Sequence, residues 1–266
     1  RGACKEQSPD TINVCYNTTS VGTRGEISMR QVALNTHISG TFNIELENLR
    51  NSVLTMGGEV EQQLVNTLKA VKHNHASLAE KVVLNDLKIN SMEIQIDEEC
   101  LRIIAKRHPT ASDLRLIMTV SKAITDIERM GDEIERIAKL VTRNKLPSSD
   151  TIKSSMLLIG ERVAAMMRGT FDAFARQDEA AALEVYDQDN RIDSEYKRLL
   201  SYTTSEMQKS TDDMQDWLDV LWAMRSLERI GDRCKNVCEY VVYLTRGTDV
   251  RHTPLENMQQ KLEDLT

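Results

Sequence analysis

From Ile38 onward, apolar residues recur every three or four positions with few interruptions. Ile44, Leu46, Leu49, Val53, Met56, Val60, Leu64, Leu68 and Val71 make one such stripe, the spacing at which a helix buries a single face. Ser77-Leu78-Ala79-Glu80 has the form of a capping box and opens a second helix. Its stripe runs through Val82, Leu84, Leu87, Ile89, Ile94, Ile96, Leu101 and Ile104. His108-Pro109 ends it, because the residue before a proline is pushed out of the helical region. Thr110-Ala111-Ser112-Asp113 is a second box-like start, with Asp in place of Glu, for a third helix carrying Ile117, Val120, Ile124, Ile127, Ile134, Ile137 and Val141. Asn144-Lys145-Leu146-Pro147-Ser148-Ser149 reads as a linker. No strand-like period of two persists anywhere.

The second half repeats the first. Ile127-Glu128-Arg129-Met130-Gly131-Asp132 returns 100 residues later as Leu227-Glu228-Arg229-Ile230-Gly231-Asp232. At the same shift Thr110, Asp113 and Val141 fall on Ser210, Asp213 and Val241. At a shift of 103, Val60, Thr67, Ala70, Asp86, Ile89 and Asn90 fall on Val163, Thr170, Ala173, Asp189, Ile192 and Asp193. Two shifts that each hold over tens of residues mark an internal duplication, and short connections make neighbouring helices antiparallel. The expected fold is all-α: six long helices in two tandem three-helix bundles related by a pseudo-twofold axis. Residues 1–36 are expected to be an irregular extension, 37–146 the first repeat, 147–246 the second, and 247–266 a C-terminal tail. The extension is rich in Ser, Thr, Asn and Gly, has no helical period and no signal-peptide core; Met29 is read as the natural start.

The repeated segment carries the candidate chemistry. Glu128 with Asp132, and Glu228 with Asp232, stand four apart and share a helix face. Asp189 with Asp193 makes another such pair in the second helix of its repeat, and Asp86 with Asn90 is its counterpart, with one acid replaced by an amide. With the second and third helices of a repeat side by side, these pairs face each other. Glycine inside a helix costs about 1 kcal/mol relative to alanine. Its recurrence at Gly131 and Gly231 implies close approach of a helix or a hydrated ion. All-oxygen donors suit hard cations: Mg, Ca, Mn or Fe. The plainer reading is a solvated acidic face, with Arg129 and Glu133, or Asp132 and Arg136, as ordinary helix ion pairs.

Composition removes several classes of function. The 266 residues include 4% aromatics, 11 Gly and 4 Pro, and the net charge is −7. An acidic chain poor in aromatics offers neither a nucleic-acid footprint nor stacking platforms. No apolar run approaches a membrane span, so the membrane is expected to be reached only through partners. His37, His73, His75, His108 and His252 all lie outside the acidic segments, which argues against the Glu-x-x-His di-iron bundles. No phosphate loop or nucleophile elbow appears, and no organic cofactor is expected. Five cysteines without a disulfide spacing suit a reduced, cytoplasmic protein. Cys234 and Cys238, one turn apart, read as core packing before they read as soft-metal ligands.

The run His108-Pro109-Thr110-Ala111-Ser112-Asp113-Leu114-Arg115, the doubled Glu-Arg-x-Gly-Asp and the opening Phe42 to Val60 with Met56-Gly57-Gly58 resemble the PhoU proteins, over about Met29 to Arg246. The resemblance implies two three-helix bundles and a regulator without catalytic activity, commonly homodimeric. It implies an adaptor between the ATP-binding subunit of a phosphate ABC transporter and a phosphate-sensing histidine kinase, holding the starvation response and phosphate uptake down when phosphate is plentiful. It also implies metal clusters at Glu128 and Asp132, at Glu228 and Asp232, and at Asp189 and Asp193. Asp86 matches that pattern and Asn90 departs from it, which weakens the first site. The alternative function is a metal-dependent or metal-storing helical bundle with carboxylate-only sites.

Overall fold

The computed structural model describes residues 40–143, 149–209, 214–251, 253, 257 and 258. They form six helices: α1 Gly40–His73, α2 Ala76–Arg107, α3 Ala111–Thr142, α4 Asp150–Arg176, α5 Glu179–Lys209 and α6 Met214–Arg246. Each half packs its three helices against one another, and the halves meet through α1 against α4 and α3 against α6. No strand occurs among the described residues. The irregular extension at 1–36, most of the linker, Cys4, Cys15, His37 and His252 lie outside the described residues.

The contacts between halves are reciprocal, as a twofold axis requires. A Cβ on Gly57 of α1 would sit 3.0 Å from the Phe171 ring of α4. A Cβ on Gly160 of α4 would meet Leu68 of α1. Gly160 and Phe171 are Gly57 and Leu68 moved by 103. Between α3 and α6, Asp126 accepts from Arg233 at 3.3 Å, Asn236 at 3.2 Å and Tyr240 at 2.8 Å. Glu133 accepts from Ser226 at 2.7 Å and Arg229 at 3.0 Å. Ser226 and Arg233 are the positions of Asp126 and Glu133 moved by 100, so the two networks exchange places across the axis. As one contact climbs α3 its partner descends α6, so these helices run antiparallel. Glu133 therefore bonds Arg136 of its own helix and Arg229 of the other half, and not Arg129.

Most of the sequence stripes are core: Leu46, Leu49, Val53, Met56, Val60 and Leu64 of α1 and Ile117, Val120, Ile124, Ile127, Ile134 and Ile137 of α3 are buried. Five expected members are not. Ile44, Leu84, Leu87, Ile94 and Leu101 are exposed. In α2 the buried seam is Ala79, Val82, Asp86, Ile89, Ile96, Cys100 and Ile103. The exposed leucines and Ile94 are displaced by about two residues, roughly 200° around the helix, so the sequence stripe had merged two opposite faces.

The helix starts also depart from expectation at two points. His75, not Ser77, caps α2: its Nδ1 accepts from the Leu78 amide at 3.1 Å. Asn74 before it has φ of 50°, which turns the chain between α1 and α2. Thr110 does cap α3, but its hydroxyl donates to Asp113 Oδ2 at 3.1 Å and not to the backbone. Residues past Arg246 pack back on the protein: Val250 and Met258 are buried against Val242, Leu183 and Tyr186. Cys100, Cys234 and Cys238 are free, buried core residues. Burial pushes all three thiols up, Cys100 and Cys238 to about 12, which keeps them protonated and poor as metal ligands.

Candidate functional site

The repeated glycines make room for an aspartate. A Cβ on Gly131 of α3 would lie 3.2 Å from Asp86 Oδ1 of α2, and one on Gly231 of α6 would lie 2.7 Å from Asp189 Oδ1 of α5. Helix backbone and carboxylate thus touch where a side chain would stand between them. Both aspartates are buried, and in each the Oδ1 atom has no hydrogen-bond partner. Glu128 and Asp132, half-buried, flank Gly131; Glu228, buried, and Asp232, half-buried, flank Gly231. The structure therefore brings each Glu-x-x-x-Asp pair of a third helix to the acid of the second helix, as the duplication implied.

The first cluster is short of positive charge. Asp86 Oδ2 accepts only from Asn90, at 3.3 Å. Burial, with Glu135 and Asp132 nearby, pushes Asp86 up to about 6. Burial, with Asp132, Glu93 and Asp86, pushes Glu128 up to about 7 against the pull of Arg129. Asp132 is raised by burial, with Arg136 opposing. The nearby Lys139 is held by Glu135 at 2.6 Å.

The second cluster carries its own cation. Lys235 Nζ lies 3.0 Å from Asp189 Oδ2 and 5.1 Å above the Tyr186 ring. Burial still raises Asp189, with Lys235 opposing it. Glu228 accepts from Arg225 through Oε1, while its buried Oε2 has no partner. Burial and Asp232 push Glu228 up to about 6, with Arg225 opposing and Asp193 and Asp189 adding. Moved by 100, Glu135 and Lys139 become Lys235 and Glu239: the two charges have changed places between the halves. The sequence reading weighed only the loss of acid at Asn90. It missed Lys235, although its place one turn past Gly231, on the face toward Asp189, was open to the same helical-wheel argument.

Three buried carboxylate oxygens without partners, on Asp86, Asp189 and Glu228, have the chemistry of a hard-cation site. Among the described residues, however, no three Asp, Glu, His or Cys side chains are arranged to hold a metal ion. The donors fit such an ion in kind, and Lys235 occupies one oxygen of the second set.

The two glycines give a matched pair of expected results. Gly231→Ala should destabilise the protein by about 1–3 kcal/mol, because the new methyl drives Asp189 off Lys235. Gly131→Ala should fall within about 1 kcal/mol of wild type, the looser contact being offset by the gain in helix propensity. Urea unfolding of both variants checks this; equal losses would mean that the Asp189–Lys235 bond does not set the difference.

Comparison with known proteins is consistent along the whole helical region. The family model described as the PhoU domain matches twice, at residues 53–141 and 156–241, one match within each helix triple. The phosphate-specific transport system accessory protein PhoU of Serratia marcescens is 42% identical over 84% of this chain and 92% of its own length. That of Escherichia coli (strain K12) is 40% identical over 88% of this chain and 97% of its own. The crystal structure of PhoU from Pseudomonas aeruginosa superposes with a TM-score of 0.74 at 41% identity, covering 78% of this chain and all of that one. The phosphate transport system regulatory protein PhoU from Streptococcus pneumoniae superposes at 0.73 with 28% identity, covering 79% of this chain and 99% of that one. With both repeats matched, the six-helix architecture shared and the identity spread over most of the chain, this protein belongs to the PhoU family.

Proposed function

We propose that this protein is a negative regulator of the phosphate-starvation response and of phosphate uptake. It acts as a non-catalytic adaptor, in homodimeric form, between the ATP-binding subunit of the phosphate ABC transporter and a phosphate-sensing histidine kinase. The observation that carries this reading is the near full-length likeness to proteins named accessory to the phosphate-specific transport system. No helix among the described residues is long and apolar enough to cross a membrane. That supports a cytoplasmic protein meeting the membrane through these partners. An adaptor of this kind must bind two partner states with different affinity, and long rigid helices provide preformed faces for that.

The carboxylate clusters supply the second element of the proposal. Asp86, Glu128 and Asp132 are the donors offered to one hard cation, and Asp189, Asp193, Glu228 and Asp232 to another; their side chains would have to turn to close on an ion, and Lys235 competes for Asp189. A bound ion would neutralise buried acids and lock α2 to α3 and α5 to α6. The unpartnered oxygens also favour the second reading, a metal-storing or metal-dependent bundle.

The test is capture and repression together. The immobilised full chain should retain both the detergent-solubilised kinase and the transporter's ATP-binding subunit. Deleting its gene should switch on a phosphate-starvation reporter in phosphate-rich medium, and the wild-type gene should restore repression. Repression that survives deletion would end the regulatory reading. Chelator-sensitive turnover by the purified protein would favour the metal-dependent bundle.

A further inference from the structure

Leu84, Leu87, Ile94 and Leu101 stand on the outer face of α2 with 68%, 70%, 58% and 62% of their surface exposed. Leu87, Ile94 and Leu101 are seven residues apart, the heptad spacing of a helix seam that packs against another helix. Leu84 adds a second register to the same face. The pseudo-twofold provides an internal control. At the same outer positions, moved by 103, α5 carries Asp187, Asn190, Lys197 and Thr204, all exposed. The two helices occupy equivalent places and bury equivalent seams: Val82, Ile89 and Ile96 answer to Val185, Ile192 and Leu199. The fold therefore does not ask for apolar residues on the outer face. One copy has kept or acquired them, over about 26 Å of helix, and an exposed apolar stripe of that length marks an interaction surface.

We propose that the outer face of α2 is where two copies of this chain pair, α2 against α2. The partner is argued from self-complementarity. In a parallel, in-register pair the twofold sets each seam residue against its own copy, Leu87, Ile94 and Leu101 alike. The flanks of the seam carry opposite charge: Lys88 and Arg102 on the side toward α1, where they bond Glu59 and Glu45, and Asp97 on the side toward α3, where it accepts from Ser121. Asp97 precedes Arg102 by five residues, the spacing at which flanking charges of two parallel, in-register helices meet across a seam. A second copy thus answers both the apolar row and its two charged borders. Ser91 and Glu98 interrupt the seam, and each Glu98 meets its own copy as a like charge, which lowers affinity and makes the pairing reversible. The proposal gives the homodimer a surface and does not depend on which proteins the dimer regulates.

The experiment grafts the α5 surface onto α2. Light scattering over a concentration series should give the wild-type full chain twice the mass of one chain. The variant carrying Leu84→Asp, Leu87→Asn, Ile94→Lys and Leu101→Thr should give the mass of one chain, with an unchanged helical circular dichroism spectrum. Independently, with Cys4 and Cys15 changed to Ser, Ile94→Cys should form a disulfide-linked dimer under mild oxidation and Lys197→Cys should not. A wild type that stays at single-chain mass would overturn the proposal. So would a graft variant that keeps double mass, or an Ile94→Cys protein that fails to link.

Discussion

Lys235→Met is expected to lower stability by about 3 kcal/mol near neutral pH, a loss of roughly 6–12 °C in Tm for a chain of this size. Methionine keeps most of the side chain's apolar length and removes only the charge. Asp189 is then left buried against the backbone of Gly231 with one oxygen already unpartnered and the other newly so. The pH dependence identifies the cause. Asp189 already titrates above its ordinary value because of burial, and without Lys235 it rises further. A carboxyl raised in the folded state stabilises the fold below its unfolded value and loses that contribution as pH rises through the folded one. The deficit should therefore shrink as the medium is acidified and widen as it is made alkaline. Asp189→Asn added to Lys235→Met should recover much of the loss, since no buried charge remains. A pH-independent deficit, unrescued by the second change, would mean that Lys235 acts through packing over Tyr186 alone.

Metal-free protein is expected to lose on the order of 3 kcal/mol of stability between about pH 5 and about pH 8. Asp86 and Glu228 titrate near 6 and Glu128 near 7, all above the ordinary carboxylate range. Each favours the folded state while protonated and opposes it once ionised, so stability falls as pH climbs through those values. Mutual repulsion within each cluster and the partial exposure of Glu128 keep the total below the sum of three independent groups. Other acids work in the opposite direction. Arg107 holds Glu45 below its ordinary value, and Arg251 holds Asp249 at about 2; their contribution is present above the unfolded value and disappears in stronger acid. The optimum should thus lie between about pH 4.5 and about pH 6. Urea unfolding in chelator across this range measures the slope, and Glu128→Gln should flatten it. Adding Mn or Mg ions near pH 8 should restore stability in the wild type and restore less of it after Glu128→Gln with Asp132→Asn, which leaves only the second site. A flat profile would show that the acids are not raised. A profile insensitive to cations would remove the metal from the proposed function.

The architecture was readable because duplication writes itself into the sequence. The shifts of 103 and 100 make Asp86 the equivalent of Asp189 and Gly131 that of Gly231, and the approach of Asp86 to Gly131 recurs between Asp189 and Gly231. What the two repeats share could be read; what distinguishes them was harder. Lys235 neutralises Asp189 from a position where the first half has Glu135, and a search for repeated acids passes over a residue that breaks the repeat. The outer face of α2 was misread for a related reason. Helical spacing records that a residue is apolar and where it points around the axis, but not which of two apolar faces meets the core. His75 escaped notice because capping signatures look for hydroxyls and carboxylates, and a neutral imidazole nitrogen accepts the same amide.

The reciprocal packing of Gly57 with Phe171 and of Gly160 with Leu68 has a topological corollary. If a rotation carries each triple onto the other, the gap from the end of α6 to the start of α1 matches the gap from the end of α3 to the start of α4. The short bridge at 144–149 spans the latter, so a bridge of similar length would close the helices into a ring. Which half is translated first is then a matter of where that ring was cut. The fold should accept a circularly permuted gene in which α4 leads and α3 comes last.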